Sequence, residues 1–277
     1  MKTERRMART TDGQVEAFFG AFAHAKRALL LLDYDGTLAP FRLDRFKARP
    51  WAGVRELLNR IQDPIGLTVI TKIIFITGRP ATEIGSLIDL KKPTEVWGLH
   101  GAERLSVDGL SEFDEAPTAT RAKLDELRAQ LRLDSFGGLL EEKPNAVVMH
   151  WRGASTRKAR QIAQKTWALF EPLSHLDGLA LLKFESGLEL RTGRDKGDAV
   201  RSILADSGED TGRQGPVAFL GDDVTDEEAF EAVNASTRPH LTALVRRTNR
   251  ETAAAMWLQP PGELRDFLRR WIAACGQ

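Results

Sequence analysis

The chain has 277 residues, long enough for one large domain or two modest ones, and its 42% hydrophobic content supplies a sizeable core. Forty Lys+Arg against thirty-nine Asp+Glu leave a formal charge of +1, without the concentrated basic face that nucleic-acid binding needs. A single cysteine, Cys275, excludes an intramolecular disulfide framework and a cysteine zinc cluster.

The first dozen residues are polar and read as ragged, and they lack an apolar segment of the secretory kind. Apolar Val15, Phe18, Phe19 and Phe22 predict a helix over 14–27. The continuous apolar run 28–32 reads as a buried parallel strand and is far too short to span a bilayer. A soluble, cytoplasmic protein is therefore expected, with neither a membrane nor a nucleic acid as partner. Trp51, Val54, Leu57, Leu58 and Ile61 predict an amphipathic helix over 51–62, and the β-branched stretch 67–77 predicts a strand entering a helix at Gly78-Arg79-Pro80. Strand, helix, strand, helix is the pattern of a doubly wound parallel sheet.

The middle of the chain has a different rhythm. Helices are expected over 121–132 and 157–170, a strand over 146–151, and a hairpin from 179–184 and 187–191. From Lys196 the alternation resumes: helix to 205, strand 217–220, helix 225–233, strand 241–245 and helix 263–273. The fold class expected is α/β, a doubly wound parallel-sheet (Rossmann-like) core built from 1–102 and 190–277, with an inserted smaller α/β cap domain over 103–189.

Chemistry concentrates at two strand ends. Asp33-Tyr34-Asp35-Gly36-Thr37-Leu38 follows the first strand directly, and ligands bind beyond the carboxyl ends of parallel strands. One of the two Asp could attack phosphorus while the other handles the leaving-group proton, and Gly36 and Thr37 suit a turn that offers N–H groups to an anion. Asp and Gly are also default turn residues, so an inert Asx-rich turn is the competing account. Gly221-Asp222-Asp223-Val224-Thr225-Asp226-Glu227-Glu228 follows strand 217–220. Its carboxylates repel one another unless a hard cation such as Mg²⁺ neutralises them. An acidic helix N-terminus explains Glu227 and Glu228 equally well, whereas Asp222 and Asp223 precede the helix. Thr77 and Lys196 are weak signals alone: an N-cap and a solvated lysine would look the same.

In this order, Asp-x-Asp-Gly-Thr, Thr, Lys and Gly-Asp-Asp resemble the motif series of the haloacid dehalogenase-like phosphatases. "DYDGTLAP", "TGRP", "GLHGAE", "EEKPNAVVMHWR", "GLELRTGRDKGDAV" and "GDDVTDEEAF" further resemble the trehalose-6-phosphate phosphatases across most of the chain. The resemblance implies Asp33 as the nucleophile that becomes aspartyl-phosphate and Asp35 as the acid and then base. Thr77 and Lys196 would hold the phosphoryl oxygens. It implies Mg²⁺ at the Asp33 carboxylate, the Asp35 main-chain carbonyl and Asp222, with Asp223 or Asp226 as support. It adds Thr37, Gly78, Arg79 and His100 as substrate-binding candidates, with Glu141, Lys143, His150, Arg152 and Glu189 toward sugar hydroxyls. From the residues alone, His150 and Arg152 describe the solvated face of any half-buried strand, and His100 an ordinary loop histidine.

The implied reaction is Mg²⁺-dependent hydrolysis of trehalose 6-phosphate, the substrate coming from a trehalose-6-phosphate-forming enzyme on a separate chain. The alternatives are sucrose 6-phosphate or mannosyl-3-phosphoglycerate as substrate, a phosphomutase, or a non-catalytic sugar-phosphate-binding module.

Overall fold

In the computed structural model, residues 6–7, 12–42, 44–115, 117–133, 139–176, 178–184, 186–206 and 215–277 are described. The chain divides into a larger unit, Met1–Glu112 with Asp195–Gln277, and a smaller one, Phe113–Arg194. The first part of the larger unit runs β1 (Arg6–Met7), α1 (Asp12–Gly20), β2 (Arg27–Leu32), α2 (Val54–Gln62), β3 (Ile70–Ile76), α3 (Ala81–Ile88), β4 (Glu95–Gly98) and β5 (Glu103–Leu105), with β6 (Ser111–Phe113) at the boundary. The smaller unit contains α4 (Thr118–Arg132), β7 (Leu140–Lys143), β8 (Ala146–His150), α5 (Thr156–Phe170), β9 (Leu179–Phe184) and β10 (Gly187–Thr192). The chain then returns through α6 (Lys196–Asp206), β11 (Val217–Gly221), α7 (Glu227–Asn234), β12 (His240–Val245), β13 (Glu251–Thr252), β14 (Met256–Leu258) and α8 (Gly262–Cys275).

The apolar run in β2 has a direct structural cause. Leu30 and Leu32 face a core built with α1, α2, α3 and α8, while Leu29 and Leu31 face a second core built with α6 and α7. Both faces of the strand are covered, so no polar alternation survives. The sheet order is β14-β12-β11-β2-β3-β4-β5-β6, parallel from β14 to β4, with β5 antiparallel to β4. The smaller unit has an antiparallel sheet, β7-β8-β10-β9. Val147, Met149, Leu188 and Leu190 on one face of it share a core with Leu124, Leu127 and Leu131 of α4 and Ile162 and Phe170 of α5.

Several boundaries differ from the sequence expectation. The first helix stops at Gly20, followed by a tight 3-10 turn, Ala21–His24, that inserts Phe22 against Trp271 at 5.0 Å between ring centroids. The strand expected over 67–77 begins only at Ile70, because the N–H groups of Thr68 and Val69 are taken by the Cys275 carbonyl (2.7 and 3.1 Å). The helix expected from 225 begins as a 3-10 turn, Val224–Asp226. Residues 103–105 stay with the larger unit because β5 pairs with β4, and 190–192 stay with the smaller one because β10 pairs with β8 and β9. Apart from Arg6, Met7 and Asp12, the polar first dozen lies outside the described residues.

Trp271 closes the first core. It is fully buried, touches the rings of Phe18, Phe22 and Phe267, and donates from Nε1 to Thr71 Oγ1 (2.9 Å). Trp271→Ala is expected to lower the unfolding free energy by about 3–5 kcal/mol, measured by urea denaturation. A loss below about 1 kcal/mol would show that α8 is not a structural member of this core.

Candidate active site

From β2 the chain continues to β3 and β4 on one side, while β11, β12 and β14 lie on the other. The strand order therefore reverses between β2 and β11, which opens a crevice at their carboxyl ends. Asp33 is the first residue past β2 and Asp222 the first past β11.

Asp33 is buried, with its N–H donated to the Leu220 carbonyl (2.9 Å). Thr37 Oγ1 donates to its Oδ2 (3.0 Å) and Lys196 Nζ to its Oδ1 (2.6 Å). Lys196 also donates to Asp226 Oδ1 (2.7 Å). Burial pushes the Asp33 carboxyl up to about 7, against the pull of the Lys196 ammonium and with help from Asp226. Burial disfavours the Lys196 charge, but Asp226 and Asp33 outweigh it and hold the ammonium well above its ordinary range. A lysine opening α6 also opposes the helix dipole, and the local sequence compensates. Asp195 and Asp198 exchange side-chain-to-backbone hydrogen bonds across the first turn (2.8 and 3.1 Å).

The acidic segment after β11 divides its labour. Asp226 Oδ2 accepts the N–H groups of Asp222 (2.9 Å) and Asp223 (3.0 Å), so its carboxylate organises the loop while its Oδ1 holds Lys196. Asp223 caps the 3-10 turn, accepting from the Val224 N–H (2.8 Å). Asp222 points back toward Asp33: burial and then Asp33 hold its carboxyl well above the carboxylate range. Gly36 makes this approach possible. Its φ is +86°, and an added Cβ would stand 2.0 Å from Asp222 Oδ2. Carboxylate oxygens of Asp33, Asp222 and Asp226 lie within 4.8 Å of one another. Two neighbouring buried carboxylates with raised pKa values, in an all-oxygen donor set, fit a hard divalent cation.

Thr77 and Gly78 follow β3. Thr77 Oγ1 accepts from the Arg79 N–H (3.2 Å), and the Thr77 carbonyl accepts from the His100 N–H (2.9 Å). The His100 ring lies so close to Gly78 that a Cβ there would stand 2.6 Å from Nε2. Arg79 forks Asp35, Nε to Oδ2 at 2.5 Å and Nη2 to Oδ1 at 2.6 Å, and its third nitrogen reaches Glu83 Oε2 (3.3 Å). Burial works against the Arg79 charge, yet the Asp35 and Glu83 carboxylates push its pKa up.

In the smaller unit, strand register puts Glu141, Lys143, His150 and Glu189 on the sheet face opposite the helices. His150 Nε2 and Glu141 Oε2 are 2.7 Å apart, and Lys143 Nζ reaches Glu189 Oε1 at 3.4 Å. Arg152 lies beyond the end of β8. The strand ends at His150, and Arg152 sits in the following turn with Nε on Ser186 Oγ (3.2 Å).

Residues 31–260 match the trehalose-phosphatase family. The chain belongs to that family. A trehalose-phosphate phosphatase of Mycobacterium marinum is 30% identical over 257 residues, covering 88% of this chain and 61% of the relative. The chain thus spans about three-fifths of the length of that curated relative. The C-terminal domain of a Candida albicans trehalose-6-phosphate phosphatase superposes with a TM-score of 0.75 at 20% identity, over 99% of both chains. The C-terminal domain of a Candida albicans trehalose synthase regulatory protein does so at 0.68 and 14%, over 98% of this chain and 100% of that one. At these identities the two structures establish the shared fold.

The motif order predicted Asp33, Thr37, Lys196, Asp222 and Asp226 near one site, and the fold brings these side chains together. It gave no sign that Arg79 would fork Asp35, or that Glu83 and Arg45 stand behind it. The only cue, Arg79 four residues before Glu83 at the start of α3, is common on any helix.

Asp226 is expected to be a structural anchor: Asp226→Asn leaves the buried Lys196 short of a carboxylate and lowers stability by about 3–5 kcal/mol. Asp223→Ala, which removes only a cap, costs about 1 kcal/mol. Equal small losses in denaturant titrations would remove Asp226 from that place.

Proposed function

We propose that this chain is a phosphomonoester hydrolase that converts trehalose 6-phosphate to trehalose and phosphate with Mg²⁺, in the cytoplasm. The supporting observation is the buried Asp33–Lys196–Asp226 triad facing Asp222 at the reversal of the strand order, in a trehalose-phosphatase family member. The fold alone is not enough, since a regulatory protein shares it. A binding module has no use for a nucleophile-ready carboxylate beside a second one held by arginine.

Asp33 attacks phosphorus, the bond from phosphorus to the sugar oxygen breaks, and Asp35 passes a proton to the departing oxygen. Water then attacks the aspartyl-phosphate, gives a proton to Asp35 and releases phosphate with the Asp33 carboxylate restored. Lys196 and Thr77 hold the phosphoryl oxygens, with charge set in place before the reaction. Asp226 orients Lys196 and the Asp222–Asp223 amides. A divalent cation held by Asp33, Asp222 and the Asp35 main-chain carbonyl would neutralise the paired carboxylates and draw charge from a phosphoryl oxygen. Glu141, Lys143, His150 and Glu189 present alternating donors and acceptors on one sheet face, the pattern that directional recognition of sugar hydroxyls uses. Arg152 belongs to the same proposed set from its turn.

Phosphate release is expected from trehalose 6-phosphate in Mg²⁺, abolished by EDTA and by Asp33→Asn. Sucrose 6-phosphate, glucose 6-phosphate and mannosyl-3-phosphoglycerate should react far more slowly. Comparable release from several sugars would discard the substrate, and release from none would leave a binding module. Metal binding has a separate readout. The raised Asp33 carboxyl contributes stability to the metal-free fold below the unfolded value of 3.8, and that contribution is lost as pH rises through about 7; the Asp222 carboxyl is raised in the same direction. Mg²⁺ should therefore raise Tm on the order of 5 °C at pH 7.5 and far less at pH 5.5, where protons compete. Asp222→Asn should remove the gain, and a pH-independent shift would place the metal elsewhere.

A further inference from the structure

Asp35 is about one-quarter exposed. A carboxylate in that setting has several rotamers open to it, so something must hold it in one. Arg79 does so through the Nε–Nη2 edge of its guanidinium, and its own side chain is 7% exposed. The Tyr34 ring lies 5.7 Å from the guanidinium carbon, and the Tyr34 hydroxyl is fastened to the Ala48 carbonyl (2.7 Å). The remaining nitrogen, Nη1, is held by Glu83.

Glu83 is itself fixed from two directions. It lies in the first turn of α3, where the Pro80 that precedes the helix offers no side-chain cap; Glu103 Oε2 accepts the Ala81 N–H instead (2.7 Å). Arg45, from a 3-10 turn at Arg45–Lys47 capped by Asp44, donates Nε to Glu83 Oε2 (3.3 Å) and Nη2 to Oε1. The result is a row of alternating charge, Asp35–Arg79–Glu83–Arg45, that ties the β2–α2 connection to the start of α3. Glu83 separates two guanidinium groups that would otherwise stand side by side. Without its charge, Arg79 loses its rear anchor and Arg45 becomes a like-charged neighbour pushing on it.

We propose that Glu83 is a positioning residue for Asp35, acting through Arg79, with Arg45 fixing Glu83 in turn. This inference rests on the reading of Asp35 as the group that protonates the departing sugar oxygen. Formation of the aspartyl-phosphate, the step kcat/KM reports, needs such a group only where the leaving group needs the proton. Trehalose 6-phosphate, which expels a sugar alkoxide, depends on it there; p-nitrophenyl phosphate, which expels a stabilised phenolate, does not, and the later attack of water is common to both substrates.

The test compares kcat and KM of the wild-type chain, Glu83→Gln and Arg45→Met on both substrates in Mg²⁺. Glu83→Gln is expected to lower kcat/KM on trehalose 6-phosphate by about tenfold, and kcat/KM on p-nitrophenyl phosphate by no more than about twofold. Arg45→Met, which leaves the Arg79–Glu83 pair in place, should move the same ratio in the same direction by less. Equal losses on both substrates, or none on trehalose 6-phosphate, would overturn the positioning role. Circular dichroism and thermal unfolding identify a variant that fails to fold, in which case Arg45→Met decides. A wild-type chain inactive on both substrates would instead sink the phosphatase reading itself, and the inference with it.

Discussion

The Lys196 ammonium, almost wholly withdrawn from water, meets two carboxylates at 2.6 and 2.7 Å. Removing an ammonium from water costs several kcal/mol, and only close, well-directed partners offset it. Those partners come from places far apart in the chain: Asp33 from the end of β2, Asp226 from the turn after β11, and the lysine from the start of α6. The pairing therefore fixes three loops relative to one another. Asp226 extends the effect, since the oxygen not used by Lys196 gathers the Asp222 and Asp223 amides.

The same constraint creates an electrostatic imbalance. Lys196 satisfies Asp33 and Asp226, but among the described residues no comparable ion pair holds Asp222, whose carboxyl is raised by burial and by Asp33. A structure selected only for stability would replace such a carboxylate. Asp222 sits against Gly36, where even a methyl group would collide. A short distance away, Asp35 is treated differently. Arg79, with Glu83 and Arg45 behind it, fixes its orientation, so the two aspartates of one motif sit in different environments.

The smaller unit solves an independent problem with the same economy. One face of its sheet is apolar and covered by α4 and α5, while the other carries Glu141, Lys143, His150 and Glu189 in paired contacts.

Local pattern was enough for much of this protein. The apolar run in β2, the helices at three- and four-residue spacing and the acidic loops after β2 and β11 are short-range features, readable because strand and helix periods are local. The order of motifs was also enough to assign the fold class and to name Asp33, Lys196 and Asp222 as companions. Short elements such as β4, β5 and β7 were not legible, since three or four residues carry too little pattern to outweigh their neighbours. Nor was the end of the strand at His150, which puts Arg152 in the turn that follows. Only the tertiary structure decided that Asp226 serves Lys196, that Arg79 forks Asp35, and that Glu83 and Arg45 stand behind that fork. These are pairings between residues up to dozens of positions apart, set by which loops a twisted sheet brings together, and a charged side chain's spacing along the chain says nothing about which distant charge will face it.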